Sequence, residues 1–110
     1  MTQSDLILIY VPCGTEDEAT ALANALIEKG LIACANIHAS RSLYRWEGSL
    51  VDEEEQILLC KTTQSSADPA EALIKEMHSY ELPCILRLRP DHVNPEYAAW
   101  VVGETSTVTA

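Results

Sequence analysis

Ala33-Cys34-Ala35-Asn36-Ile37-His38-Ala39-Ser40-Arg41-Ser42-Leu43-Tyr44-Arg45-Trp46-Glu47 is a run of 15 residues without a proline, and Gly48-Ser49 leads from it into a run of 14 from Leu50 to Thr63. The two runs predict a β-hairpin, loosened or bulged near Ala39-Ser40 and turning at Gly48-Ser49. An extended strand of that length spans roughly 50 Å at about 3.3 Å per residue. A helix of about 14 residues covers only roughly 21 Å. The hairpin tip should therefore overhang any helix that covers its sheet, although it carries Leu43, Tyr44 and Trp46. An isolated ribbon of this kind is marginal in water and prone to edge pairing. Burial against other copies of the chain is the economical solution. A shorter hairpin bent back onto its own core is the alternative.

The remaining elements follow on either side. Leu6-Ile7-Leu8-Ile9-Tyr10-Val11 is a continuous apolar run ended by Pro12, as expected of a central strand. Thr15 and Glu18 form a capping box ahead of Ala19, Leu22, Ala23, Leu26 and Ile27 at helical spacing, and Gly30 stops the helix, which is expected over about Glu16–Lys29. Asp68-Pro69-Ala70-Glu71 is the expected start of a second helix with Leu73, Ile74 and Met77 on its buried stripe. Pro83 to Leu88 is a fourth strand, and Asn94-Pro95 opens a short last helix carrying Tyr97, Trp100 and Val101 and stopping at Gly103. The order β-α-β-β-α-β plus a terminal helix predicts an α+β ferredoxin-like sandwich, an antiparallel sheet with helices on one face. The 110 residues fit one domain, residues 1–110, with residues 104–110 a frayed tail.

Composition narrows the function. The formal net charge of −10 opposes binding to nucleic acid or an anionic membrane. No apolar run approaches the 18 residues of a membrane span, and Met1-Thr2-Gln3-Ser4-Asp5 lacks the basic start of a signal peptide, so a cytoplasmic address is expected. Cys13, Cys34, Cys60 and Cys84 contain no C-x-x-C pair and are expected as free thiols. No nucleophile elbow, phosphate loop or dinucleotide fingerprint is present, so no catalytic residue is assigned and an enzyme is not expected.

Several motifs point one way. They are Ala33-Cys34-Ala35-Asn36 after the Leu31 turn, Ser42-Leu43-Tyr44-Arg45-Trp46-Glu47-Gly48, the acidic run Asp52–Glu55, Lys61-Thr62-Thr63, His78-Ser79-Tyr80-Glu81-Leu82-Pro83, and Asn94-Pro95-Glu96-Tyr97-Ala98-Ala99-Trp100. At this spacing, from about Leu6 to Val102, the chain resembles the CutA family of divalent-cation tolerance proteins. The resemblance implies a ferredoxin-like subunit in a tight homotrimer, clefts between subunits, and copper binding. The chain departs from the family pattern in Ser79, where the loop usually has proline, and in Cys84, where it usually has glutamate. Val11 and Met77 stand where members credited with copper carry a cysteine and a second histidine.

Donor chemistry supports soft or borderline metals. His78 supplies imidazole, and Cys34 and Cys84 supply thiolate, a set suited to copper(I) or zinc. Lys61, Tyr80 and Glu81 form a second candidate cluster for a small ligand, with Lys61 expected to pair with Glu47 or with the Asp52–Glu55 run. That run lacks the spacing of a calcium loop and is expected as a solvated edge. Two other functions fit the same frame: a signalling or scaffolding trimer, similar in architecture to the PII proteins, that binds a ligand or protein in its clefts, and a stable anchor with no ligand.

Overall fold

The computed structural model describes residues 5–105. Its elements are β1 (Leu6–Cys13), α1 (Glu16–Glu28), β2 (Cys34–Trp46), β3 (Ser49–Thr63), α2 (Gln64–Met77), β4 (Leu86–Leu88) and α3 (Pro95–Glu104). The four strands form one antiparallel sheet in the order β2-β3-β1-β4. Alternation along the strands sorts their residues between two faces. Ile7, Ile9, Val11 and Cys13 of β1 join Leu58 and Cys60 of β3 beneath Ala19, Leu22, Ala23 and Leu26 of α1 and Ala67, Ala70 and Ile74 of α2. The intervening residues Leu6 and Leu8 face the other way, where α3 covers one end through Val101 and Tyr97.

Local chemistry explains most boundaries. Thr15 caps α1 through its side chain, which accepts a 3.0 Å bond from the Glu18 N–H. Gly30 takes φ = 72° just after the helix, a conformation costly for other residues. The expected α2 start is five residues too late: the helix begins at Gln64, directly out of β3 with Thr63 at its N-cap, and Pro69 lies inside it. Asp68 is thus no cap. Instead it takes a 2.7 Å ion pair from Arg87, which also reaches Glu71 at 2.8 Å. β4 is shorter than expected, with only Leu86–Leu88 paired to β1. The tail is ordered further than expected: Glu104 belongs to α3, and the buried Thr105 hydroxyl donates to the Val101 carbonyl at 2.8 Å. Residues 106–110 of the expected frayed tail lie outside the described residues.

The hairpin has about the expected length and is more regular than expected. β2 and β3 stay in register through Ala39 and Ser40 without a bulge. The turn is Glu47-Gly48, with positive φ at both residues (51° and 84°), the two-residue geometry whose twist matches the flanking strands. β1 leaves β3 at the Cys13–Gln56 pair. From there seven pairs, Ser40–Glu55 to Trp46–Ser49, form a two-stranded ribbon of roughly 23 Å. The ribbon gives the subunit its longest dimension of 48 Å against 20 Å across.

Candidate functional site

The loop after α2 is held by three anchors. His78 ends the helix with its N–H on the Ile74 carbonyl at 2.9 Å. Its ring turns inward, with no exposed side-chain surface. Nδ1 accepts the Tyr80 N–H at 3.1 Å, so Nε2 carries the ring proton and donates to the Pro12 carbonyl at 2.9 Å. Glu18, at the start of α1, accepts the Ser79 N–H at 2.7 Å, the Ser79 hydroxyl at 3.1 Å and the Gly14 N–H at 3.2 Å. The expected capping box is therefore half made, because the Glu18 carboxylate serves Gly14 and the loop rather than Thr15. Burial pushes the Glu18 carboxyl up, but the hydrogen bonds from Ser79 and Gly14 outweigh it and hold the group below the usual carboxylate range.

Fixed in this way, the loop faces the root of the ribbon. Strand alternation puts Tyr44, Trp46, Glu53 and Glu55 on one face, since Tyr44 pairs with Val51, Trp46 with Ser49, and Ser40 with Glu55. Between that face and the loop lies a cavity of about 390 Å³. Pro12 and the four ribbon residues line one side, and Tyr80, Glu81, Leu82 and Cys84 the other. The Tyr80 hydroxyl donates to Glu55 Oε2 at 2.7 Å, and the Tyr44 hydroxyl to Glu53 at 3.3 Å. Burial, the bond to Glu55 and the charge of Glu53 together raise the Tyr80 hydroxyl far above the ordinary tyrosine range, so it stays protonated and donates. None of the lining residues is Lys, Arg or His.

The expected site residues separate into three groups. Tyr80, Glu81 and Cys84 meet in this cavity. His78 lies behind it, with both ring nitrogens engaged within the fold and no lone pair free for a metal in this conformation. Lys61 and Cys34 sit side by side as a cross-strand pair at the far end of the sheet, about 20 Å along β3 from Glu55. There the Lys61 ammonium lies 5.7 Å from the Tyr97 ring centroid, and Cys34 Sγ is 3.3 Å from the Tyr97 hydroxyl. The expected pairing of Lys61 with Glu47 or the acidic run does not form, because the five residues between Glu55 and Lys61 on β3 keep them apart. The acidic run is not a uniform solvated edge either: Asp52 pairs with Arg41 through two bonds of 2.9 and 2.8 Å, whereas Glu55 is buried. Glu53, Glu55, Tyr44 and Trp46 were not expected at a site, although their period-2 spacing was visible in the sequence. All four cysteines are free thiols, as expected. Among the described residues, no three His, Cys, Asp or Glu side chains converge as a preformed metal centre.

These features define a class: a small α+β subunit with a projecting ribbon and an acidic, aromatic-walled cavity at its root. The chain belongs to the CutA1 divalent ion tolerance protein family, whose pattern it matches over residues 7–104. It is 38% identical over 102 residues to the divalent-cation tolerance protein CutA of Thermus thermophilus, covering 92% of this chain and 97% of that one. The structure of CutA from Synechococcus elongatus PCC7942 superposes with a TM-score of 0.91 at 36% identity, over 96% of this chain and 95% of that one. The periplasmic divalent cation tolerance protein CutA from Archaeoglobus fulgidus superposes at 0.89 with 30% identity, over 92% and 99%. That last relative overturns the expected cytoplasmic address, since the same fold occurs in a protein described as periplasmic. Among the described residues no helix is long and apolar enough to cross a membrane, which assigns no compartment.

Proposed function

We propose that this chain is a non-catalytic, single-domain, ferredoxin-like subunit that acts in divalent-ion tolerance as a homotrimer and binds copper or zinc in a cleft at the ribbon root. Neither nucleic acid nor membrane belongs to the proposal, because the net charge of −10 repels both. The trimer is supported by apolar surface that the subunit leaves uncovered: Leu86 and Leu88 on β4 and Trp100 and Val102 on α3 are each about half exposed, as is the tip residue Trp46. The observation that carries the metal reading is that the Cys84 thiol lines the same cavity as Glu53, Glu55 and Glu81, with no cationic side chain in its walls, although no three of these donors converge beforehand among the described residues. A thiolate with carboxylates suits zinc or copper better than magnesium or calcium. Cys34 is a second thiol donor, remote from the first. His78 acts by positioning the loop.

The test is titration of zinc and copper(I) into the wild type, Cys84→Ala and His78→Ala. Stoichiometric binding that is lost in Cys84→Ala supports the reading. A wild type that binds neither ion, or a Cys84→Ala variant that binds like the wild type, sinks it. One observation favours a second reading, a PII-like trimer with a small-molecule ligand: the cavity's 390 Å³ falls in the range of ligand pockets and far exceeds a single ion.

A further inference from the structure

His78 holds its loop through the one ring nitrogen that a proton would occupy. Its side chain exposes no surface, Nε2 donates to the Pro12 carbonyl at 2.9 Å, and Nδ1 accepts the Tyr80 N–H at 3.1 Å. A neutral imidazole supplies one donor and one acceptor, which is what these two partners require. An imidazolium has two donors and no acceptor. A proton arriving at Nδ1 therefore sets two N–H groups against each other and ends the Tyr80 bond.

The surroundings hold a second acceptor for the charged ring. Glu18 Oε2, from α1, lies 3.6 Å from the same Nδ1 and already accepts the Ser79 N–H at 2.7 Å. A carboxylate oxygen accepts more than one hydrogen, so a small turn of the ring brings Nδ1–H to Glu18 while Ser79 stays tied. Among the described residues, the lysines and arginines in ion pairs meet Asp52, Asp68 and Glu71, and none meets Glu18. Two further titratable groups flank the ring. Tyr80 meets it edge-on, with centroids 4.7 Å apart, and its hydroxyl rests on Glu55 of β3. Cys13 of β1 follows Pro12, and burial pushes its thiol up to about 12, so it stays neutral.

We infer that His78 is a proton-operated latch: protonation at Nδ1 exchanges the Tyr80 N–H bond for a charge-assisted bond to Glu18 and loosens the loop from Tyr80 onward, which carries Glu81, Leu82 and Cys84 of the cavity wall. No metal takes part in the exchange, so the inference goes beyond the metal reading and does not rest on it. Histidine is the side chain that ordinarily exchanges its proton between pH 5 and 8, above the range in which carboxylates titrate.

Nuclear magnetic resonance of the 15N-labelled full chain, in its solution assembly and without added metal, tests this from pH 8 to pH 5. His78 Nδ1 is expected to change from acceptor to N–H. Over the same titration the Tyr80 amide should lose about fivefold or more of its hydrogen-exchange protection, measured against the intrinsic rate at each pH, as one hydrogen bond is lost. The Ile9 amide, in the central strand, should keep its protection and so guard against global unfolding. His78→Asn offers an amide oxygen in place of Nδ1 and has no proton to gain, so its Tyr80 amide should be equally protected at pH 8 and pH 5. The wild-type titration decides by itself if that variant does not fold. Constant Tyr80 protection while His78 takes up its proton, no proton uptake by His78 down to pH 5, or an equally large pH dependence in folded His78→Asn would overturn the inference.

Discussion

Glu18 takes both polar hydrogens of Ser79, the backbone N–H at 2.7 Å and the hydroxyl at 3.1 Å, across 61 residues of sequence. A proline at position 79, the residue usual in the resembling loop, offers neither. The pairing stitches the start of α1 to the loop that builds the cavity.

Ser79→Ala should remove the hydroxyl bond and cost about 1 kcal/mol, the usual scale for one hydrogen bond to a partly solvated carboxylate. Ser79→Pro removes both bonds and should cost more, with a partial offset from the stiffer unfolded chain. Urea denaturation of the three proteins reads the order directly. Equal midpoints would show that the loop is held by His78 alone.

Acid should loosen the same joint. The Glu18 carboxyl is held below its ordinary value, so its contribution is fully present above the unfolded carboxylate range near pH 4.3 and is lost as pH falls through the lower folded value. Glu18→Gln should destabilise the protein at pH 7 and flatten its stability profile below about pH 4.5. Denaturation midpoints measured from pH 7 to pH 3 check this. Parallel profiles for variant and wild type would reject it.

The turn carries an avoidable cost. Glu47 sits at φ = 51°, in the left-handed region where a side chain costs roughly 1 kcal/mol and where asparagine and glycine are favoured. Glu47→Asn should stabilise the hairpin by about 0.5–1 kcal/mol without changing the fold. Thermal unfolding of the variant is the measurement, and a lowered midpoint would contradict the turn geometry.

Assembly should depend on the uncovered sheet face. Light scattering is expected to give about three times the 12.1 kDa of one chain, and Leu88→Glu, on β4 beside Leu8, should yield smaller species. A wild type that scatters as one chain at low micromolar concentration would reject the trimer.

Much of the fold was legible because its signals are local. The apolar run Leu6–Val11, the Thr15 cap, Gly30 and the two long hairpin strands each act on neighbours in sequence. The start of α2 was not, because Asp68-Pro69 has the look of a helix entrance while β3 in fact passes directly into the helix at Thr63. For the site, residue type misled where geometry decides. His78 has ligand chemistry but spends both nitrogens on the Pro12 carbonyl and the Tyr80 N–H. Lys61 and Cys34 lie on the same two strands as the ribbon residues of the cavity, but at the other end of them. Conversely, Glu55 looked like one more solvated acid, and only its place opposite Tyr80 buries it.

The unbroken register of the ribbon has a consequence for how the cavity can change. Side-chain direction along β2 and β3 has only two values, and the tight Glu47-Gly48 turn sets which one each residue takes. Slipping both strands by a single residue would swap Tyr44, Trp46, Glu53 and Glu55 for Leu43, Arg45, Asp52 and Glu54, bringing a guanidinium to a wall that now has none. The ligand preference of this surface is therefore governed by parity: a one-residue insertion in each strand between the core and the ribbon would recast it without altering any residue that lines it.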